Sequence, residues 1–401
     1  MNDNELRELG KKYGTPLFVF DEAHVRSRMQ SIREILPEKI RICFSIKANP
    51  FLIPLMSGIC DAIEVCSPGE LSLCGAYGVP GEKILYSGVS RTVPDILAAI
   101  RAGASVYTAE SVRQFELLGE AAIIAGKKLP VLLRLNVGSQ FGMSLEDIRR
   151  ILSMREEWPM LEVTGIHCFA GTQRKNRGFA WQKKELEMLT DLLRTLREET
   201  GLPLPKLEYG PGLPVPLFAG EDFSDTLSPL KEIAEDLETV SAEAELTVEA
   251  GRFFVQECGY YLTKVMDTKT VPGRDGENRY VICDGGINHV TYPGSVMGMK
   301  QAVFRHLPEG ERASETEKKA WKVCGSLCTT GDELVREAML ADPHPGDLLV
   351  FENLGAYSVS EGIYLFLSRT MPGIVLYNSI SDHRMVRDFT ETYPFFAPQQ
   401  A

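Results

Sequence analysis

From about residue 16 to residue 250, short apolar runs alternate with longer amphipathic stretches. The runs are "PLFVF", "IRICFSIK", "AIEVCS", "KILYSG", "SVYTAE", "VLLRLNVG", "EVTGIHCFAG", "KLEYG" and "AELTVEAG". They are short, β-branched and bounded by turn residues, which predicts strands. Between them the apolar spacing becomes helical, as with Val25, Met29, Ile32 and Leu36 in "EAHVRSRMQSIREIL". "SPGELSLCGAYG" opens with a capping box, Ser67 to Glu70, and has Pro68 in its first turn. "TVPDILAAIRAG" has Thr92 as a cap and Gly103 as a stop, and Ser111 with Gln114 repeats the start signal.

With "PLFVF" set aside, eight strand–helix units remain. Their strands read as parallel strands covered by helices. Eight units predict a closed (β/α)8 barrel over residues 19–252, with functional groups at the strand C-terminal ends. An open doubly wound sheet would usually carry a Gly-rich fingerprint after its first strand. None follows "CFSIK". After Arg252, strand-like runs separated by polar or Gly/Pro turns predict an antiparallel β domain over 253–401, joined by residues 1–18. "HLPEGERASETEKKA" reads as a surface insertion.

Composition narrows the function. The 401 residues carry 44% hydrophobic and 24% charged side chains, enough for a substantial core. A formal net charge of −12 argues against a nucleic-acid partner. No apolar run is long enough to span a bilayer, and the charged "MNDNELRELGKKYG" carries no secretory h-region. Nine dispersed cysteines without a CxxC pair, and six dispersed histidines, point away from zinc or a disulfide framework. Reduced thiols in a cytoplasmic protein are expected.

Chemistry is sought at the strand ends. Lys47 lies at the end of "CFSIK", as either a surface lysine or one placed to form a Schiff base with an aldehyde cofactor, its pKa lowered by burial. Gly-rich turns follow two strands, "CFAGTQ" and "YGPGLPVP", and backbone N–H groups there suit a phosphate. "VEAGRFF" puts Glu249 and Arg252 at the end of the last barrel strand.

In sequence order, "FSIKANP", "EVCSPGEL", "HCFAGTQ", "YGPGLPVP", "EAGR", "CDGG", "GSLCTTGD" and "GAYS" resemble the motifs of the fold-type III pyridoxal-phosphate decarboxylases. These include the diaminopimelate, ornithine and arginine decarboxylases. The resemblance runs almost end to end. It implies an α/β fold with an alanine-racemase-like TIM-type barrel and a C-terminal antiparallel β-barrel or sandwich domain. It implies pyridoxal 5'-phosphate on Lys47, with Glu249 facing the pyridine nitrogen. Arg252, Thr172, Gly212 and Tyr357 would hold the phosphate, with Gly171, Gly210 and Gly251 shaping the turns, His167 facing inward and Arg134 supporting the site. Cys328 of the partner subunit would return a proton to the substrate α-carbon. A homodimer with shared active sites follows.

The chain departs from the pattern in three places. Phe169 stands where the family has the histidine that stacks on the cofactor ring; it can stack but offers neither proton nor charge. Pro211 removes one N–H from the second Gly turn. The positions that read the distal end of diaminopimelate are altered: Thr329 replaces an acid, Tyr292 an arginine and Val296 a tyrosine, and "VSEGIYLFLSR" replaces a polar Tyr-Asn segment. Unpaired charges in a pocket are costly, so a substrate other than diaminopimelate is expected: a small amino acid, with a carrier-linked one also open. "IYLFL" is core strand or pocket lining. Asp284, Asp332 and Glu361 remain available for a distal amine, with Asp332 equally suited to turn capping. A diaminopimelate decarboxylase with an altered pocket, a racemase or epimerase, and a binding protein on an inactive scaffold are the alternatives. Retention of Lys47, Glu249, Arg252 and Cys328 argues against the last.

Overall fold

The computed structural model describes residues 1–274, 276–292, 300–310 and 317–398. The chain forms two compact units, one of residues 27–215 and 224–254, the other of residues 1–26, 216–223 and 255–401.

In chain order, β1 is Leu17–Asp21 and the next eight strands are β2 (Arg41–Ser45), β3 (Ala62–Val65), β4 (Ile84–Tyr86), β5 (Val106–Ala109), β6 (Leu129–Arg134), β7 (Leu161–Phe169), β8 (Lys206–Gly210) and β9 (Glu245–Ala250). Strands β2 to β9 form a closed barrel. Every neighbouring pair is parallel, and β2 closes on β9 through the register Arg41–Thr247 to Phe44–Ala250. The expected helix starts are in place. Ser67 accepts the Glu70 N–H at 3.1 Å, while the Glu70 carboxylate reaches back to the Cys66 N–H at 2.6 Å. Thr92 and Asp95 form a full capping box. Each such cap contributes about 1 kcal/mol.

The second unit adds β10 (Gly259–Gly273), β11 (Gly276–Cys283), β12 (Phe304–Leu307), β13 (Lys318–Cys324), β14 (Glu333–Ala341), β15 (Leu348–Phe351), β16 (Gly373–Ser379) and β17 (Asp382–Arg387). Its sheet runs β14-β13-β11-β10-β1-β16-β17, with β15 pairing β10 and β12. The sheet is mixed rather than purely antiparallel, because β1 runs parallel to β16 and β11 parallel to β13. The N-terminal helix Asp3–Tyr13 buries Leu6 and Leu9 in this unit's apolar cluster with Leu17, Val19 and Leu262.

Two boundaries differ from the sequence reading. All of β1, with residues up to 26, belongs to the β unit. So does the segment 216–223, which is stitched in by a bridge from Phe218 to Ala302 and by the Ala219 N–H on the Gln301 carbonyl at 2.9 Å. "IYLFL" is not a core strand. Ile363, Leu365, Phe366 and Leu367 are exposed, and Leu367 takes a left-handed turn conformation, φ +57°. The proposed insertion at 306–320 lies partly outside the described residues, as does Val296.

Candidate active site

A TIM-type barrel normally fills its interior with branched apolar side chains. Here β3, β6, β7, β8 and β9 carry the buried ionisable groups Glu64, Arg134, His167, Glu208 and Glu249, and Glu110 follows β5. Burial of a charge is costly unless it is paired, so the partners define the site. Strand register brings them side by side. Arg134 lies opposite His167 and His167 opposite Glu208, while Ser45 lies opposite Glu64 and Cys43 opposite Glu249.

Lys47 sits on a 3-10 turn, Ile46–Ala48, just beyond β2. Its Nζ lies 3.0 Å from Glu64 Oε2 and 3.8 Å from Cys66 Sγ. The Cys66 thiol donates to the other Glu64 oxygen at 3.2 Å. The amine is therefore bound inside the site, although 39% of the side chain is exposed. The expected depression of its pKa is overturned. Burial does push it down, but the charges of Glu64 and Glu249 and the Nζ hydrogen bond to Glu64 outweigh burial and hold the ammonium well above its usual range.

Glu249 Oε1 accepts the Ser45 hydroxyl at 2.8 Å and Oε2 accepts His167 Nε2–H at 3.1 Å. A carboxylate only accepts, so this contact places the imidazole proton on Nε2. Burial works to raise the Glu249 pKa. The His167 hydrogen bond, the Lys47 charge and the Ser45 hydroxyl together hold it well below the usual carboxylate range. Arg134 Nη1 meets Glu110 Oε1 at 2.7 Å, and its guanidinium lies 5.9 Å from the Phe169 ring centroid. The family's stacking position is thus an aromatic face bordered by a paired cation.

The two Gly turns are laced together. The Arg174 N–H bonds the Gly212 carbonyl at 2.9 Å. The Gln173 side chain bonds both the N–H and the carbonyl of Val215, at 2.7 and 3.0 Å. Gly212 has φ +63°, and a Cβ there would lie 2.2 Å from the Gly171 carbonyl oxygen. At Gly210 a Cβ would lie 2.4 Å from the Phe169 ring, and at Gly251 one would lie 2.8 Å from Ala48 Cβ. Thr172 is exposed and Arg252 buried. The result is a pair of closely packed turns, with no room for a side chain at 212, at the ends of β7 and β8.

The remaining candidates belong to the β unit. Cys328, Thr329 and Glu361 are exposed. Tyr357 takes φ +69°. Asp284 accepts the hydroxyls of Thr15 and Thr263 at 2.5 and 2.7 Å and the Lys264 N–H at 2.9 Å. Asp332 caps a turn, accepting the Ile287 and Leu327 N–H groups at 2.8 and 2.7 Å. Tyr292 is buried and donates to the Glu352 carbonyl at 2.9 Å. The polar groups of Asp284, Asp332 and Tyr292 are thus engaged within the fold. Sequence reasoning missed Ser45, Glu64, Cys66, Glu110 and Glu208. The signal was available: Glu64 and Glu208 are single carboxylates inside otherwise largely buried strands, "AIEV" and "KLEYG".

The sequence model of a family described as pyridoxal-dependent decarboxylase, pyridoxal binding domain, matches residues 22–256. The chain belongs to the pyridoxal-dependent decarboxylases. Among similar proteins, a diaminopimelate decarboxylase from Aquifex aeolicus is 26% identical, over 88% of this chain and 84% of that one. An L-glutamyl-[BtrI acyl-carrier protein] decarboxylase from Niallia circulans is also 26% identical, over 93% and 91%. A solved diaminopimelate decarboxylase from Methanocaldococcus jannaschii shares the fold, with TM-score 0.84, 24% identity and coverage of 98% and 94%.

Pyridoxal 5'-phosphate is this decarboxylase's cofactor, and the barrel fits it. Lys47 offers the amine that would hold its aldehyde carbon, Glu249 offers an anion for a protonated ring nitrogen, and the glycine turns after β7 and β8 offer backbone N–H groups of the kind that suit a phosphate. When bound, the group supplies a ring that draws off the electrons left at the α-carbon as CO2 departs.

Proposed function

We propose that this decarboxylase removes the α-carboxyl group of an amino acid other than meso-diaminopimelate. Lys47 holds the cofactor, with Glu64 orienting its Nζ. Glu249, fixed by Ser45 and His167, keeps a proton on the ring nitrogen. Thr172, Gly212 and Arg252 hold the phosphate. Cys328 of the partner subunit delivers the proton to the α-carbon in a homodimer. The observation that supports the substrate reading is Tyr292. At the position where the resemblance puts an arginine, this side chain is buried and bonded to the Glu352 carbonyl. Thr329 adds to this, since it cannot pair with a distal ammonium as an acid would.

A carrier-bound substrate is the second reading. The Niallia circulans relative is named for a carrier-linked glutamyl group. In addition, Ile363, Leu365, Phe366 and Leu367 present exposed apolar surface where diaminopimelate decarboxylases carry polar residues.

The test is CO2 release from a panel of amino acids, including meso-diaminopimelate, lysine, ornithine, glutamate and glutamyl thioester on an acyl-carrier protein. Fastest turnover of meso-diaminopimelate would sink the substrate reading. Racemised amino acid without CO2 would sink decarboxylation itself. Purified Lys47→Ala protein is expected to lack the visible absorbance of lysine-bound cofactor.

A further inference from the structure

Glu208 has no role in the scheme above. It is 1% exposed, and neither carboxyl oxygen has a hydrogen-bond partner among the described residues. It neighbours functional groups: one ring nitrogen of His167 and one carboxyl oxygen each of Glu208 and Glu249 all lie within 4.8 Å of one another. The charged and titratable groups around Glu208 are Glu249, Glu64, Lys47, Arg134, Cys43 and His167.

The two cations in this set are committed. Lys47 is paired with Glu64 at 3.0 Å and Arg134 with Glu110 at 2.7 Å. His167 donates its Nε2 proton to Glu249. That leaves two carboxyl groups, Glu208 and Glu249, with no further Lys or Arg around them among the described residues. Two carboxylates this close and this dry do not both ionise; one keeps a proton. Glu249 already accepts two hydrogen bonds, whereas Glu208 accepts none. The proton therefore belongs on Glu208.

We propose that Glu208 is a neutral carboxylic acid at working pH and that its O–H is directed, across one water or directly, to the Glu249 carboxylate. This makes Glu208 a positioning residue. It adds a third donor to Glu249 without adding a second negative charge beneath the site. The charge state rests on the geometry alone, while its use toward the ring nitrogen rests on the cofactor reading. Burial, and the Glu249 and Glu64 charges, push the Glu208 pKa well up, in the same direction.

The experiment is infrared difference spectroscopy of cofactor-free wild type against Glu208→Gln, from pH 6 to pH 9. Wild type should show a carboxylic-acid C=O band, unchanged across that range and lost in Glu208→Gln. Absence of that difference band overturns the proposal. Elemental analysis on the same samples provides a second check. A stoichiometric divalent metal, present in wild type and lost in Glu208→Gln, would mean that a metal ion and not a proton joins the carboxylates. Neither readout needs bound cofactor, so failure of the cofactor reading would leave them intact. In the loaded protein the amide of the Glu208→Gln variant can still donate, whereas the side chain of Glu208→Leu cannot. Cofactor affinity should fall less than about threefold in Glu208→Gln and about tenfold in Glu208→Leu, the scale of one lost hydrogen bond to a charged group. The pH profile of the visible absorbance should move only in Glu208→Leu. Equal losses in both variants would overturn the positioning role. A shift of about one pH unit or more in Glu208→Gln would mean that a charge had been removed, and would overturn neutrality.

Discussion

Replacing Glu64 with glutamine tests how the site sets the charge on Lys47. The carboxylate sits 3.0 Å from Nζ. At an effective dielectric of about 20, Coulomb attraction at that distance is about 5 kcal/mol. The lysine side chain is 39% exposed, however, so solvent screens most of it, leaving about 1 kcal/mol. The sign follows from the raised pKa. Its contribution to stability is fully present below the unfolded lysine range and is lost as pH rises through the folded value. Glu64→Gln should therefore lower the Lys47 pKa and destabilise the cofactor-free protein near neutrality by about 1 kcal/mol, the scale of a partly exposed ion pair. Competitive acetylation over a pH series, read by mass spectrometry on the Lys47 peptide, measures the midpoint directly. A midpoint unchanged or raised in Glu64→Gln would refute the claim that Glu64 governs this amine.

Three further outcomes are expected. His167→Leu removes a hydrogen bond to a buried carboxylate, worth about 1.5–3 kcal/mol. Because the Glu249 pKa is lowered, its stabilisation exists above the unfolded carboxylate range and is lost as pH falls, so the acid-unfolding midpoint of His167→Leu, followed by circular dichroism, should move to higher pH. Gly212→Ala drives a Cβ to 2.2 Å from the Gly171 carbonyl at φ +63°; a loss of about 1–3 kcal/mol should appear in thermal melts, and fluorescence titration should show weaker cofactor binding. Arg134→Met leaves Glu110 buried and unpaired, and urea denaturation should report a loss of about 3–5 kcal/mol.

The barrel is readable from periodicity because each of its strands is a local event. "AIEV" or "KLEYG" declares itself within a few residues, and its parallel neighbour follows one helix later. The unit boundary is not local. The segment 216–223 joins the β unit through Phe218 and Ala302, which lie far apart in the chain. The mixed sheet escapes for the same reason, since β1 pairs β16 across most of the sequence. Within the site, Lys47 and Glu249 stand at strand ends and are visible as such. The direction of the Lys47 shift is not, because it depends on Glu64 at 3.0 Å, a partner on the next strand. A rule that burial lowers a lysine's pKa holds only where no carboxylate shares the cavity. "IYLFL" shows the limit of composition: five apolar residues in a row suggest a strand, yet four of them face out and Leu367 sits in a left-handed turn.

The packing of Phe169 against Gly210 constrains the order in which this site can change. A side chain at 210 collides with the ring, at 2.4 Å from Cβ to Cδ2. A substitution at 210 forces the Phe169 ring to move, so a lineage that enlarges 210 gains by first shrinking 169. A library that varies the two positions separately would underrate 210. Varied together, they should reveal combinations that neither single scan can reach.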